Sequence, residues 1–201
     1  MTEVSEIRII QKPDAVSYSV IREVIQLAHQ ENIRRGIVMK TTSHSADELA
    51  AKVGETGKCF IATDGEKIVG TVSCRKGKIN RWFYKGYVTN LMLFGILPEY
   101  QGKHIASKLI RAVEEAAETE GCNIVFLDTA AENDHMIQLC KRKGFLLVSY
   151  FSALSDHYSV EMAKWLDNCP YSKLYCSFRF FVRKLYIRLR FKPGKKKRFG
   201  V

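Results

Sequence analysis

The residues that point most directly to chemistry lie in one junction, LFGILPEYQGKHIASKLI, at positions 93–110. Its first part reads as a buried strand, Pro98 ends that strand, and a turn containing Gly102 leads straight into an amphipathic helix. The first-turn amides of such a helix lack intrahelical partners, and together with the helix dipole they bind phosphate-type anions. A glycine in the turn lets a ligand approach the backbone. A β-α turn that binds nothing fits the same residues, because one Gly-bearing turn is a weak signal. A second cluster, Arg81-Trp82-Phe83-Tyr84-Lys85, sets three aromatics between two cations. It could line an acceptor pocket, stack on a base or sugar, or simply cover a neighbouring surface.

The elements around the junction follow from periodicity. A short strand is expected at 6–12, then a helix from Ser17 to about Gly36 with Val20, Val24, Ile25 and Ala28 at helical spacing. Ser45-Ala46-Asp47-Glu48 has the form of a capping box and opens a second helix. Strands at 59–63 and 67–75 flank the turn dipeptide Asp64-Gly65, and the polar stretch GKINRWFYKG leads into a strand at 87–97 whose later half is almost continuously apolar. Ile105, Leu109, Ile110, Val113, Ala116 and Ala117 then mark one face of a helix stopped at Gly121. A strand at 123–128, a helix at 133–143 and strands at 145–151 and 158–165 complete the series. Hairpins mixed with crossover units predict a mixed α/β sheet with helices on its faces.

Within this frame the chain resembles the GNAT superfamily of acyl-CoA-dependent N-acetyltransferases. Gln101-Gly102-Lys103-His104-Ile105-Ala106 is similar to the family's [Q/R]-x-x-G-x-[G/A] signature, with His104 standing where the pattern has its central Gly. Asn133 and Gly144-Phe145 match the family's N-x(10)-GF spacing, and the likeness covers about 5–166. The resemblance implies an α+β fold whose mostly antiparallel sheet is splayed between its fourth and fifth strands, with helices on both faces. It implies acetyl-CoA as co-substrate and no metal. Phe94, Gly95 and Ile96 would offer backbone groups to the pantetheine arm. Gln101, Gly102, Lys103, His104, Ile105, Ala106 and Ser107 would cradle the pyrophosphate, with Asn133 among the cofactor contacts. Gly95 suits a close backbone approach. At His104 a Cβ narrows the anion nest unless φ stays negative, while its side chain could itself bond a phosphate.

The activity implied is transfer of an acetyl group to a primary amine by direct attack. Many family members take the acid from a Tyr whose position here is Cys140; a thiol is chemically competent, and a small apolar filler fits the position equally. Candidate bases are Asp128 at the end of the fifth strand and His157 before the last, with Asn90 or Tyr87 able to order a water. The competing function is a non-catalytic acyl-CoA-binding module that has lost its acid.

The remaining signals concern charge and compartment. Of 32 Lys and Arg, 11 fall in 173–201, where there is no Asp or Glu, so the other 21 balance all 21 acidic residues and the body is formally neutral. Leu174, Phe178, Phe181, Leu185 and Leu189 fall in one helical arc there, with Arg179, Arg183, Lys184 and Arg188 outside it and PGKKKR beyond. The expected organisation is therefore an acetyltransferase domain at 1–166 and a basic amphipathic helical extension at 167–201. The extension suits an anionic membrane surface better than nucleic acid, or else packs on the body. The six cysteines form no CxxC pair, and the start of the chain lacks a basic n-region. Both predict a cytoplasmic protein with reduced thiols, peripheral at the inner membrane surface if the tail engages it.

Overall fold

A computed structural model of the chain describes residues 6–37, 40–81, 84–154, 157–167 and 182. Seven strands form one sheet in the order β1-β2-β3-β4-β5-β7-β6. In chain order these are β1 (Arg8–Gln11), β2 (Lys58–Asp64), β3 (Lys67–Arg81), β4 (Tyr84–Ile96), β5 (Ile124–Ala130), β6 (Leu146–Leu154) and β7 (His157–Trp165). All neighbours are antiparallel except β4 and β5, which run parallel. The helices are α1 (Tyr18–Ala28), α2 (Gln30–Arg34), α3 (Lys40–Ser43), α4 (Ala46–Val53), α5 (Ile105–Thr119) and α6 (Asp134–Arg142).

Side-chain alternation divides the core between the two faces of the sheet. Ile21 and Ile25 of α1 and Leu49 and Val53 of α4 bury against Cys59 and Ile61 of β2 and Leu93 of β4. On the other face, Leu109, Ile110 and Val113 of α5 meet Val69 and Val72 of β3, Leu91 of β4 and Val125 and Leu127 of β5. The alternate residues of β5, Ile124 and Phe126, join Val88, Val148 and Ala163 in a third cluster. Both faces are thus covered, which is why the second half of β4 reads as a continuous apolar run.

Helix α3 has no counterpart in the sequence expectation, and two further stretches differ from it. The expected single helix over 17–36 is interrupted at His29, which ends α1 and starts α2. The strands flanking GKINRWFYKG run further into it than the expected ends at 75 and 87, since β3 and β4 stay paired out to Arg81 with Tyr84. Beyond Cys74, where pairing with β2 ends, Arg75, Lys76 and Lys78 of β3 are exposed, so alternation gave no sign of a strand there. Trp82 and Phe83 lie outside the described residues, as does the expected basic extension apart from Asp167 and Val182. Among the described residues no helix is long and apolar enough to cross a membrane.

The capping box is present in full. Glu48 N–H donates to Ser45 Oγ at 3.2 Å, and Ser45 N–H donates to Glu48 Oε2 at 2.6 Å. That backbone N–H holds the Glu48 carboxyl below its ordinary 4.5, so the contribution of the carboxylate is present above that value and fades as the pH falls through the folded-state range. Ser45→Ala should destabilise the protein by about 1 kcal/mol in urea denaturation at neutral pH.

Candidate active site

The site begins where a ladder stops. β4 and β5 pair only at Thr89 with Val125 and Asn90 with Phe126, although β4 continues to Ile96 and β5 to Ala130. Past Asn90 the two strands diverge, and a gap opens between them. A bulge in β4 marks the start of the divergence: between the pairs Thr71–Gly95 and Ser73–Met92, β4 spends one residue more than β3, and Leu93 takes a φ of 52°.

The edge of β4 beyond the bulge faces this gap. Leu97 N–H donates to Val69 O at 2.9 Å, which turns Leu97 toward β3. Strand alternation turns Gly95 the same way, and turns the N–H and C=O of Phe94 and Ile96 toward the gap. Both outward carbonyls are taken by side chains: Phe94 O accepts from His29 Nε2 at 2.9 Å, and Ile96 O from Gln101 Nε2 at 3.1 Å. At the closed end, the Thr89 hydroxyl is buried without a hydrogen-bond partner.

At the open end stands the N-terminus of α5. Pro98–Tyr100 forms a single 3-10 turn, held down by Tyr100 Oη donating to Asp64 Oδ2 at 2.7 Å. Gly102 and His104 both have positive φ, 78° and 60°. A turn with left-handed residues leading into a helix N-terminus is the kind of backbone from which an anion-binding nest is built. His104 is the N-cap of α5 and its side chain makes no capping bond; Ser107 N–H donates to His104 O at 3.1 Å, which leaves the Ile105 and Ala106 amides as donors. The nest, the gap-facing N–H groups and the orphaned Thr89 hydroxyl together fit a ligand with a diphosphate, an amide-bearing arm and a carbonyl end. An acyl-CoA is such a ligand.

The structure brings most of the sequence candidates to this place. Gln101, Gly102, Lys103 and His104 form the exposed turn, while Ile105, Ala106 and Ser107 start α5 with the Ile105 side chain in the core. His104 adopts the left-handed conformation, at φ 60°, so the condition under which its Cβ would leave the nest unnarrowed, a negative φ, is not met. The close approach at Gly95 is made by α1, since a Cβ there would lie 3.0 Å from Ala28 Cβ. Asn133 is buried, and its side chain serves the β5–α6 turn: Oδ1 accepts from Met136 N–H at 3.3 Å and Nδ2 donates to Thr129 Oγ1 at 3.2 Å.

The catalytic candidates separate. By register Asn90, Phe126 and Asp128 share one face of the sheet, and Asp128 lies directly across from Glu161 of β7. Asp128 is exposed, two residues beyond the last residue of β5 that pairs with β4. His157 opens β7, four residues and thus about 13 Å along the strand from Glu161. Tyr87 is half-exposed on the outer ribbon, with Lys76 Nζ 4.4 Å from its ring centroid. Cys140 has no exposed surface; it sits in the α5-side core with Phe145 and Met162, and burial pushes its thiol up to about 12. His29 and Glu161 carry no signal in the sequence, because each becomes meaningful only through a partner distant along the chain.

The profile of the Acetyltransferase (GNAT) family matches residues 31–145. N-alpha-acetyltransferase MAK3 of Arabidopsis thaliana is 33% identical over 88 residues, 44% of this chain and 44% of the relative. N-alpha-acetyltransferase 30 of Schizosaccharomyces pombe is 29% identical over 86 residues, 43% of this chain and 55% of the relative. The chain spans about half the length of the curated relatives it matches. The fold is shared with a chain of the NatC complex solved with Gag peptide and CoA, at a TM-score of 0.63 and 17% identity over 80% of this chain and 99% of that one.

Two measurements check the local geometry. Left-handed φ costs a residue with a Cβ about 1–2 kcal/mol, of which glycine's extra freedom when unfolded takes back roughly 0.5–1. His104→Gly should therefore raise stability by about 0.5–1 kcal/mol in thermal melts. With its thiol near 12, Cys140 should be about one part in ten thousand thiolate at pH 8 and resist alkylation until the protein is unfolded, as read by mass spectrometry.

Proposed function

The chain belongs to the acetyltransferase (GNAT) family, and on that premise we propose that it transfers the acetyl group of acetyl-CoA to the α-amine of a protein N-terminus by direct attack. The observation that carries the reading is the gap between β4 and β5, lined by outward N–H groups and with the amides of α5 standing at its open end. The N-terminal acetyltransferases among the relatives favour a protein acceptor. The same considerations disfavour a binding-only module.

The thioester supplies the electrophilic carbonyl: the amine nitrogen bonds to its carbon, the C–S bond breaks, and CoA leaves as a thiol. The Phe94 and Ile96 N–H groups orient the carbonyl oxygens of the bound arm, and the turn from Gln101 to Ser107 holds the diphosphate. An ammonium must lose one proton before attack and a second as the amide forms. We assign the first to Asp128, acting directly or through a water placed by Asn90. The paired carboxylates of Asp128 and Glu161 draw a cationic acceptor to this face. The second proton passes to the departing thiolate from the nitrogen itself, so Cys140 need not ionise and serves as core packing. Asn133 acts through structure, by holding the β5–α6 turn.

For the tail, the reading is a cytoplasmic enzyme held at an anionic membrane surface through 173–201. Each basic residue near such a surface contributes about 1 kcal/mol. Co-sedimentation of the full chain with anionic vesicles but not neutral ones is the expected result, lost on removal of 173–201.

The decisive assay follows CoA release with peptides bearing a free or a blocked N-terminal amine. Release with the free amine alone is expected; equal release with both, or none with any amine, would refute the reading. Asp128→Asn should lower kcat by about a hundredfold or more while leaving CoA affinity unchanged in calorimetry.

A further inference from the structure

Helix α1 breaks at His29, and the imidazole there reaches a carbonyl 65 positions away in sequence, at Phe94. A carbonyl can only accept, so the proton lies on Nε2, leaving Nδ1 to accept from Asn32 Nδ2 at 3.3 Å. Burial pushes the imidazole below its ordinary value, against a smaller opposing pull from the Phe94 carbonyl, so the ring is neutral at pH 7. Tight packing sets the reach: a Cβ at Gly95 would lie only 3.0 Å from Ala28 Cβ of α1.

Phe94 is the first residue past the bulge whose backbone turns to the gap. An unengaged carbonyl there would swing freely and repel the carbonyl oxygen of a ligand lying along the edge. With Phe94 O held by His29 and Ile96 O by Gln101, that edge becomes a row of donors.

We infer that His29 is a positioning residue for the acyl-CoA arm: by holding the Phe94 carbonyl, it fixes the strand edge in the orientation at which the Phe94 and Ile96 N–H groups meet ligand carbonyls. The inference rests on the acetyl-CoA reading above. It also joins the α1–α2 break to the strand that holds the donor substrate.

The test is calorimetric binding of CoA to the full chain, with His29→Gln and His29→Phe compared by thermal melting and the His29 ring followed by NMR. Gln places an amide donor at about the position of Nε2 and should keep affinity within threefold. Phe keeps a ring but no donor and should bind CoA about tenfold more weakly. In the unaltered protein, CoA should shift the Nε2–H resonance. A Phe variant that melts earlier but binds CoA as tightly as the parent would overturn the role, because His29 would then be structural only. If the Phe variant does not fold, an Nε2–H resonance unmoved by saturating CoA overturns it equally. A parent protein that gives neither heat nor shift with CoA removes the acetyl-CoA reading itself, whereas equal binding by parent and Phe variant removes only the role of His29.

Discussion

Two parallel strands side by side normally satisfy each other's backbone along their length, yet β4 and β5 do so at only two residue pairs. Every later peptide group on the facing edge of β4 must find a partner elsewhere, because an unpaired buried N–H or C=O is a liability comparable to a lost hydrogen bond. The structure resolves half of that demand internally. Side chains from α1 and from the turn after β4 take the carbonyls of Phe94 and Ile96, and the N–H groups are left facing outward. The site is therefore defined by what the fold leaves unfinished.

Holding such a gap open requires that the strands be fixed from outside it. α1 and α4 grip one face through Ile21, Ile25, Leu49 and Leu93, while α5 and the core around Leu109 and Val113 grip the other. β5 is secured on its far side by full pairing with β7, and β4 by its long ladder with β3. The bulge at Leu93 then re-aims β4 without loosening it, since pairing with β3 resumes at Gly95. Rigid walls matter here, because donors that wandered by an ångström would give up much of their ability to orient a reacting carbonyl.

The order of the elements and the anion-binding turn were legible because they rest on local signals. Pro98, Gly102 and the apolar face of α5 announce a strand, a turn and a helix within about twenty residues. Asn133 and Gly144-Phe145 bracket α6 in the same way. What escaped is what depends on closure in three dimensions. Past Cys74, β3 runs on through the exposed Arg75, Lys76 and Lys78, which impose no alternation. The left-handed φ of His104 is set by the turn into α5, not by the residue's own preference. The bond from His29 to Phe94 joins positions that only the packing of α1 on β4 brings together, so no spacing rule could reveal it.

Cys140 shows how a residue type that suggests chemistry can be silenced by its surroundings. Desolvation among Phe145, Met162 and Val113 makes its thiolate costly, so it would surrender a proton to a departing CoA thiolate only uphill. Chemistry at the gap does not need that proton. Once the amine has attacked, its nitrogen is positively charged and a far stronger acid than either thiol, and it lies one bond from the carbon that releases sulfur. In the proposed mechanism the demanding proton transfer is then the earlier one, from the incoming ammonium, which we assign to the face carrying Asn90, Asp128 and Glu161. A core cysteine on one side of the sheet and carboxylates on the other are consistent with the proposed direct attack, in which the acid position is given over to packing and the first proton is taken across the sheet from it.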